Sequence, residues 1–130
     1  MEEELKKLLE NSYANYSNFK VSALLYTKDG RKFCGVNVEN ASFGATICAE
    51  RSAIVNAISN GIKPHEFSKI CIMNSSKKIA TPCFLCRQVF EEMFDSEMPV
   101  VCYNVNGESI TYKVKDLCTF PFGEDNLEWK

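Results

Sequence analysis

Two short segments of the 130-residue chain carry residue types that can do metal chemistry. Cys48-Ala49-Glu50 joins a cysteine to a carboxylate, and Pro82-Cys83-Phe84-Leu85-Cys86 adds two cysteines three positions apart. Three thiolates leave the fourth position of a tetrahedral zinc ion open to water, whereas a closed structural site usually has four protein ligands. The sequence therefore predicts one Zn²⁺ ion per chain, held by Cys48, Cys83 and Cys86, with Glu50 as the proton carrier.

The Cys83-x-x-Cys86 pair is not specific for this chemistry by itself. Such a pair is also typical of a redox centre or of half a zinc ribbon, so the prediction depends on Cys48 as the third ligand. A fourth cysteine ligand would instead give a closed zinc site in a non-catalytic binding module. The remaining cysteines lie in or beside apolar runs and are expected to be small core residues: Cys34, Cys71, Cys102 and Cys118.

Two arginines directly follow the ligand segments, Arg51 after the first and Arg87 after the second. Three thiolates around zinc carry a net charge of about −1, which weakens the Lewis acidity of the metal. Either guanidinium could donate a hydrogen bond to a ligand sulfur and withdraw charge, or it could be an ordinary solvated helix residue. A charge-tuning role is predicted for both.

Composition and charge limit the class of protein. The chain is 45% hydrophobic and 25% charged, which at this length predicts a single globular domain over residues 1–130. A net charge of −2 with scattered Lys and Arg argues against a nucleic-acid partner and favours a small-molecule substrate. Neither a membrane-length apolar run nor a signal-peptide core is present, so a cytoplasmic protein with no membrane partner is expected.

The spacing of apolar residues predicts alternating helices and strands. Helices are predicted through Leu5, Leu8, Leu9, Tyr13 and Tyr16, then over 48–60, 83–94 and 115–118. Strands are predicted over 21–27, 31–38, 69–73, 100–103 and 109–114. Helical connections favour parallel pairing and the two hairpins add antiparallel pairs, so the expected fold is α/β, a mixed five-stranded sheet covered by helices on both faces. The ligand cysteines then lie at helix starts, and His65, the only histidine, is expected at the surface.

These motifs resemble the zinc-dependent cytidine deaminases, whose signature is (H or C)-x-E followed by P-C-x-x-C. The resemblance is closest to the homotetrameric, three-cysteine branch and covers essentially the whole chain. Its matching segments occur in the order and spacing of the family: Phe19-Lys20-Val21-Ser22-Ala23, Asn37-Val38-Glu39-Asn40-Ala41, Ile47-Cys48-Ala49-Glu50-Arg51, 82–89 and Phe122-Gly123.

The resemblance implies hydrolytic deamination of cytidine and deoxycytidine to uridine and deoxyuridine, with release of ammonia and no organic cofactor. Glu50 would take a proton from the attacking water and deliver it to the pyrimidine ring and the leaving amine. Asn37 and Glu39 would bind the ribose 3′-hydroxyl, and Phe122 would reach into the site of a neighbouring subunit. The substrate-binding residues implied by the resemblance are Phe19, Asn37, Glu39, Ala41, Ala49 and Phe122.

The chain departs from the common family pattern at four positions. Family members usually have Gly where Phe84 and Ser22 stand, Pro where Lys20 stands and Tyr where Phe43 stands. These changes are expected to alter affinity more than to abolish activity. A deaminase of a blasticidin-type nucleoside remains an alternative, whereas nucleotide, tRNA and DNA deaminases usually have His at position 48, and Glu39 would repel a 5′-phosphate.

Overall fold

A five-stranded mixed sheet organises the protein, which we describe from a computed structural model over residues 1–127. The last three residues of the predicted domain, 128–130, lie outside the described part. The α-helices are α1 (Glu2–Leu9), α2 (Ala49–Ser59), α3 (Phe84–Met93) and α4 (Val114–Leu117). The strands are β1 (Val21–Thr27), β2 (Lys32–Val36), β3 (Phe67–Asn74), β4 (Pro99–Tyr103) and β5 (Ser109–Lys113).

The strand order of the sheet is β2-β1-β3-β4-β5, which makes β3 the middle strand. β3 and β4 are parallel and are joined through α3, whereas the other neighbouring pairs are antiparallel. The β1–β2 hairpin turns through Gly30, whose φ of 87° lies in the left-handed region that glycine adopts without a steric cost. The predicted mixed five-stranded sheet is confirmed.

Alternate residues of the central strands pack against different helices. Ala23 and Leu25 of β1 join a core with α2, α3 and α4, while Leu24 and Met73 pack on the opposite face against Leu5 of α1. Because side chains alternate across a strand, each of these nearly continuous apolar runs serves two cores. The prediction that helices cover both faces is confirmed.

α2 lies unusually close to the sheet because Gly35 of β2 has no side chain. A Cβ atom at Gly35 would lie 2.4 Å from the Ala53 backbone nitrogen and 2.5 Å from the Ala49 carbonyl oxygen. Ala49 and Ala53 are fully buried at this contact. Because the backbones of β2 and α2 are in direct contact here, α2 can shift little relative to the sheet. This contact fixes the start of α2, where Cys48 and Glu50 lie.

The first helix is shorter than its apolar spacing predicted. α1 ends at Leu9, and the expectation that it continues through Tyr13 and Tyr16 was wrong. Tyr13 instead forms a parallel bridge with Val38, and its amide donates to the Asn37 carbonyl at 3.0 Å. Segment 12–19 therefore runs alongside 37–39 and becomes part of the pocket wall.

The four cysteines outside the ligand segments differ in how deeply they are buried. Cys71 and Cys102 are buried in the sheet as expected, and Cys118 is half-buried. Cys34 is exposed, so its assignment as a core residue was wrong. It lies on β2, an edge strand, and its side chain faces away from the helix that packs on neighbouring Gly35.

The side chain of His65 is 56% exposed, as predicted, and its Nδ1 lies 2.8 Å from Asp95 Oδ1. Within residues 1–127, no helix combines the length and apolar character that crossing a membrane requires.

Candidate metal centre and substrate pocket

The sulfurs of Cys48, Cys83 and Cys86 converge at one point. Cys83 Sγ lies 3.7 Å from Cys48 Sγ and 3.5 Å from Cys86 Sγ, and all three sulfurs lie within 4.8 Å of one another. A tetrahedral zinc ion with bonds of about 2.3 Å would hold its sulfurs about 3.8 Å apart. The donor set therefore fits zinc in both chemistry and spacing, and it leaves one coordination position for a ligand from outside the chain.

Two helix starts bring the sulfurs together. Cys48 precedes α2 with φ −71° and ψ 154°, and Cys83 precedes α3 with φ −66° and ψ 165°. Both residues are N-caps in extended conformation, and Cys86 follows in the first turn of α3. Unpaired amides and the positive end of the helix dipole at such positions favour thiolate over thiol. The predicted placement of the cysteines at helix starts is confirmed.

The cluster already stabilises negative charge on one sulfur. A hydrogen bond from Cys86 lowers the pKa of Cys48 to about 5 against the opposing effect of burial, and Arg51 lowers it further. The same bond, together with burial, raises the pKa of Cys86. The neighbouring sulfur and Arg51 thus favour the thiolate form of Cys48, which is the form in which cysteine binds zinc.

Arg51 makes the contact with a ligand sulfur that the sequence suggested. Its Nη2 donates to Cys48 Sγ at 3.4 Å, and this bond raises the pKa of the guanidinium. Its Nε is buried and has no hydrogen-bond partner within residues 1–127. The guanidinium is therefore oriented toward the sulfur cluster, where a positive charge offsets the excess charge of three thiolates.

Arg87 does not make the corresponding contact. Its guanidinium donates to the Pro82 carbonyl at 2.8 Å, to Thr81 Oγ1 at 2.7 Å and to the Leu117 carbonyl at 3.2 Å. The prediction that Arg87 tunes the ligands through a hydrogen bond to sulfur is corrected accordingly. The planar guanidinium donates instead to oxygen atoms in the segment that precedes Cys83, because oxygen is a stronger hydrogen-bond acceptor than sulfur.

A pocket of about 280 Å³ opens beside the sulfur cluster. This volume is close to the lower end of small-molecule sites, about 300–1,000 Å³. Predicted site residues in its lining are Phe19, Asn37, Glu39, Cys48, Ala49, Glu50 and Cys83. Cys86 is fully buried, and the lining within residues 1–127 does not include Ala41, Arg51, Arg87 or Phe122.

Several lining residues were not predicted. Ile72 and Asn74 come from the end of β3, Tyr103 from the end of β4, and Thr81 from the loop before Cys83. The carboxyl ends of parallel strands are the usual position of ligand sites in α/β sheets. Thr81 could have been found from its place next to the ligand segment, whereas Tyr103 depends on the pairing of β3 with β4.

Glu50 lies in the first turn of α2 at the inner end of the pocket, with 5% of its surface exposed. Burial raises the pKa of its carboxyl to about 7, and the nearby Cys48 thiolate adds to the rise, against its own backbone hydrogen bond and Arg51. A carboxyl that is neither fully ionised nor fully protonated near neutral pH can both accept and release a proton.

Asn37 and Glu39 hold segment 12–21 against the pocket. Asn37 Oδ1 accepts from Ser12 Oγ and from the Val21 amide at 2.9 Å, and its Nδ2 donates to the Phe19 carbonyl at 2.8 Å. Glu39 Oε1 accepts from the amides of residues 16 and 17 at 2.9 and 3.1 Å, and its Oε2 accepts from the hydroxyl of residue 17. Both side chains thus shape the wall of the pocket that they line.

Residues 1–110 match the family model described as the cytidine and deoxycytidylate deaminase zinc-binding region. The chain belongs to this family.

Curated relatives and solved structures agree with that assignment. The cytidine deaminase of Sporosarcina psychrophila is 34% identical over 126 residues, covering 97% of this chain and 91% of the relative. That of Halalkalibacterium halodurans is 36% identical over 118 residues, covering 91% and 88%. The crystal structure of cytidine deaminase from Burkholderia pseudomallei is 42% identical with a TM-score of 0.88, covering 92% of this chain and 94% of that one. That of Mycobacterium tuberculosis is 28% identical with a TM-score of 0.79, covering 95% and 94%.

The deaminase family accounts for the fold and the cofactor together. The mixed α/β fold, the hydrolytic deaminase class and the zinc cofactor expected from the sequence are confirmed. The three-cysteine cluster is the group in residues 1–127 that fits the zinc. The roles of the individual residues in the pocket remain predictions.

Replacing Cys48 with alanine should abolish stoichiometric zinc binding. Two sulfurs remain in that variant, and the thiolate paired with Arg51 is lost, so the site has neither the ligand number nor the charge that zinc needs. Metal analysis of the purified protein should give about one zinc per chain for the wild type and close to none for Cys48→Ala. Cys34→Ala is the matched control and should retain zinc; equal loss in both variants would contradict the proposed ligand set.

Proposed function

We propose that this chain is a zinc-dependent hydrolase that converts cytidine and 2′-deoxycytidine, with water, to uridine and 2′-deoxyuridine and ammonia. The observation that carries the proposal is the meeting of three cysteine sulfurs with a buried carboxyl at the inner end of a pocket of nucleoside size. Cys48, Cys83 and Cys86 are the proposed ligands. When bound there, zinc would lower the pKa of a water molecule toward neutrality.

Glu50 performs the proton transfers in this proposal. It accepts a proton from the attacking water and delivers it to the pyrimidine ring. It then takes the remaining proton from the new hydroxyl group on C4 and passes it to the amine, which leaves as ammonia. Its position supports this role, since the buried carboxyl lines the pocket next to Cys48 and Cys83 of the sulfur cluster. Glu50 lies between fully buried Ala49 and Arg51 in the first turn of α2, so the helix holds the carboxyl rigidly beside the sulfurs.

The Glu50→Gln variant should bind zinc as the wild type does and lose cytidine turnover. Glutamine has nearly the same shape but cannot carry the proton, and general acid–base catalysis contributes about 10²- to 10⁴-fold to rates. The loss of cytosine absorbance and the release of ammonia measure the reaction, and metal analysis provides the control for folding and zinc content. Turnover by zinc-loaded Glu50→Gln within about threefold of the wild type would exclude the proposed proton-transfer role.

Asn37 and Glu39 are proposed to bind one sugar hydroxyl between them. Within the described chain, the hydrogen bonds of Asn37 leave one Nδ2 hydrogen free, and those of Glu39 leave one acceptor position on Oε2. A hydroxyl group accepts from the first and donates to the second. The ribose 3′-hydroxyl is the group that the family resemblance assigns to these residues, with Phe19 against the base.

Removing the 3′-hydroxyl from the substrate should be far more harmful than removing the 2′-hydroxyl. A site that is built to hydrogen-bond a hydroxyl loses both bonds when that hydroxyl is missing, and the buried Asn37 amide is then left with an unpaired hydrogen. The expected kcat/KM for 3′-deoxycytidine is at least about 100-fold below that for cytidine, and the value for 2′-deoxycytidine is within about tenfold. Equal turnover of the two deoxynucleosides would refute this assignment without any change to the protein.

We also propose a homotetramer in which Phe122, and the exposed loop around Ala41, contribute to sites near subunit interfaces. Four large apolar side chains near the start of α3 and the C-terminal segment are more than half exposed: Phe84, Leu85, Phe120 and Phe122. Exposed aromatic clusters of this kind are typical of protein interfaces. The seven unpaired cysteines support a reducing compartment, and a single cytoplasmic domain is proposed on that basis.

The proposed homotetramer can be tested by measuring the mass of the protein in solution. Sedimentation equilibrium of the zinc-loaded protein should give a species about four times the 14.7 kDa of one chain. The serine variant of Phe122 should shift this equilibrium toward smaller species, because it removes an apolar contact at the proposed interface. A wild-type mass of one chain at micromolar concentration would contradict the tetramer and leave the zinc site itself unaffected.

A further inference from the structure

The guanidinium of Arg87 forms a three-point anchor that the zinc chemistry described above does not use. Its three hydrogen bonds go to Thr81 Oγ1, the Pro82 carbonyl and the Leu117 carbonyl, at 2.7 to 3.2 Å. Each of its three nitrogens donates once, to acceptors in two separate segments of the chain. A planar guanidinium whose three nitrogens all donate hydrogen bonds is fixed in position and orientation.

The first segment held by this anchor leads directly into the metal centre. Thr81 lines the pocket, and Cys83, two residues later, is a proposed zinc ligand. Loop residues 75–83 contain no regular helix or strand that would fix them locally. Since the Arg87 amide also donates to the Cys83 carbonyl at 3.0 Å, the backbone and the side chain of one residue together hold residues 81–83, the end of this loop that leads into α3.

The second segment held by the anchor is the C-terminal part of the chain. Leu117 is the last residue of α4, and its carbonyl would otherwise have no partner within that helix. Cys118 Sγ donates to the Arg87 carbonyl at 3.3 Å, and Gln88 Nε2 donates to the Phe122 carbonyl at 2.8 Å. The same helix turn that presents the ligands therefore also docks residues 117–122.

Phe84, the residue between the two ligand cysteines, covers this anchor. Its ring lies 4.4 Å from the guanidinium carbon of Arg87, within the range of cation–π contact. The ring is otherwise 78% exposed. Phe84 thus adds no bulk between the sulfurs, which lie at zinc-compatible distances, and instead shields one face of the anchor from water.

We propose that Arg87, covered by Phe84, is a positioning residue that fixes the Cys83 sulfur and the Thr81 wall relative to Cys48 and Glu50. The inference rests on the proposed zinc deaminase function for its catalytic consequence, but its effect on metal retention is independent of the substrate. Arg87 acts on Cys83 through the backbone of residues 81–83. It makes no hydrogen bond to a sulfur of the proposed zinc ligands. Loss of the anchor should loosen one ligand while the other two remain held.

Arg87→Lys tests this proposal, because one ammonium group keeps the charge but cannot reach three divergent acceptors in a plane. Zinc release from the holoenzyme to excess 4-(2-pyridylazo)resorcinol should be about 10- to 100-fold faster than in the wild type. The kcat for cytidine should fall by about tenfold or more with KM within about threefold, because misplacement affects the reacting geometry more than ground-state binding. The visible bands of the cobalt-substituted protein should change as well.

Two further variants should accelerate zinc release by less than Arg87→Lys does. Phe84→Leu keeps an apolar side chain but removes the ring, and should speed zinc release by about two- to fivefold. Thr81→Val removes one of the three acceptors at nearly constant shape, and should fall between Phe84→Leu and Arg87→Lys in zinc release. Arg31→Lys is the matched control, since Arg31 pairs with Asp29 in the exposed β1–β2 turn; it should match the wild type in all readouts.

Zinc release and cytidine turnover together distinguish a failure of the Arg87 positioning role from a failure of the proposed deaminase function. Wild-type zinc release, cobalt spectrum and kcat in Arg87→Lys would overturn it and make Arg87 a structural residue only, whatever the change in unfolding temperature. If Arg87→Lys does not fold, wild-type zinc release in both Phe84→Leu and Thr81→Val would overturn it instead. Faster zinc release in a protein that never deaminates cytidine would support the anchor and reject the function. Solution mass measured in the same buffer excludes a change of assembly as the cause.

Discussion

Three sulfurs within 4.8 Å of one another are the constraint on which the rest of the structure depends. Thiolates repel at this distance, and three of them exceed the charge of one zinc ion, so the protein must supply positive potential around them. It does so with the N-termini of α2 and α3, which meet at the cluster, and with Arg51, whose Nη2 reaches Cys48. Each of the three proposed ligands therefore comes from a helix start, and none from the strands.

The sheet determines where those two helix starts meet. The parallel pairing of β3 with β4 places α3 on the same face as α2, and Gly35 lets α2 approach the sheet at backbone contact. The pocket then opens at the carboxyl ends of β3 and β4, where Asn74 and Tyr103 contribute to its wall. The sulfur cluster, the buried Glu50 carboxyl and the pocket are thus consequences of one packing arrangement.

The parts of this arrangement that depend on local sequence could be predicted. The ligand cysteines precede long apolar-periodic runs, so their placement at helix starts followed from the pattern, as did the strands and the Asp29-Gly30 turn. What failed depended on contacts between distant segments. Tyr13 and Tyr16 have helical spacing, but pairing of Tyr13 with Val38 ends the helical conformation earlier. Arg87 adjoins the ligands in sequence, yet the acceptors that decide its direction include Leu117, 30 residues away. Cys34 lies on an edge strand, which no local signal revealed.

X-ray absorption at the zinc edge is the most direct test of an open three-cysteine site. The account predicts three sulfur ligands at about 2.3 Å and one oxygen or nitrogen ligand at about 2.0 Å in the resting protein. Addition of a slowly reacting cytidine analogue should alter the light-atom ligand and leave the three sulfur distances unchanged. Four sulfur ligands, or a spectrum that does not respond to the analogue, would show a closed structural site and contradict the central claim.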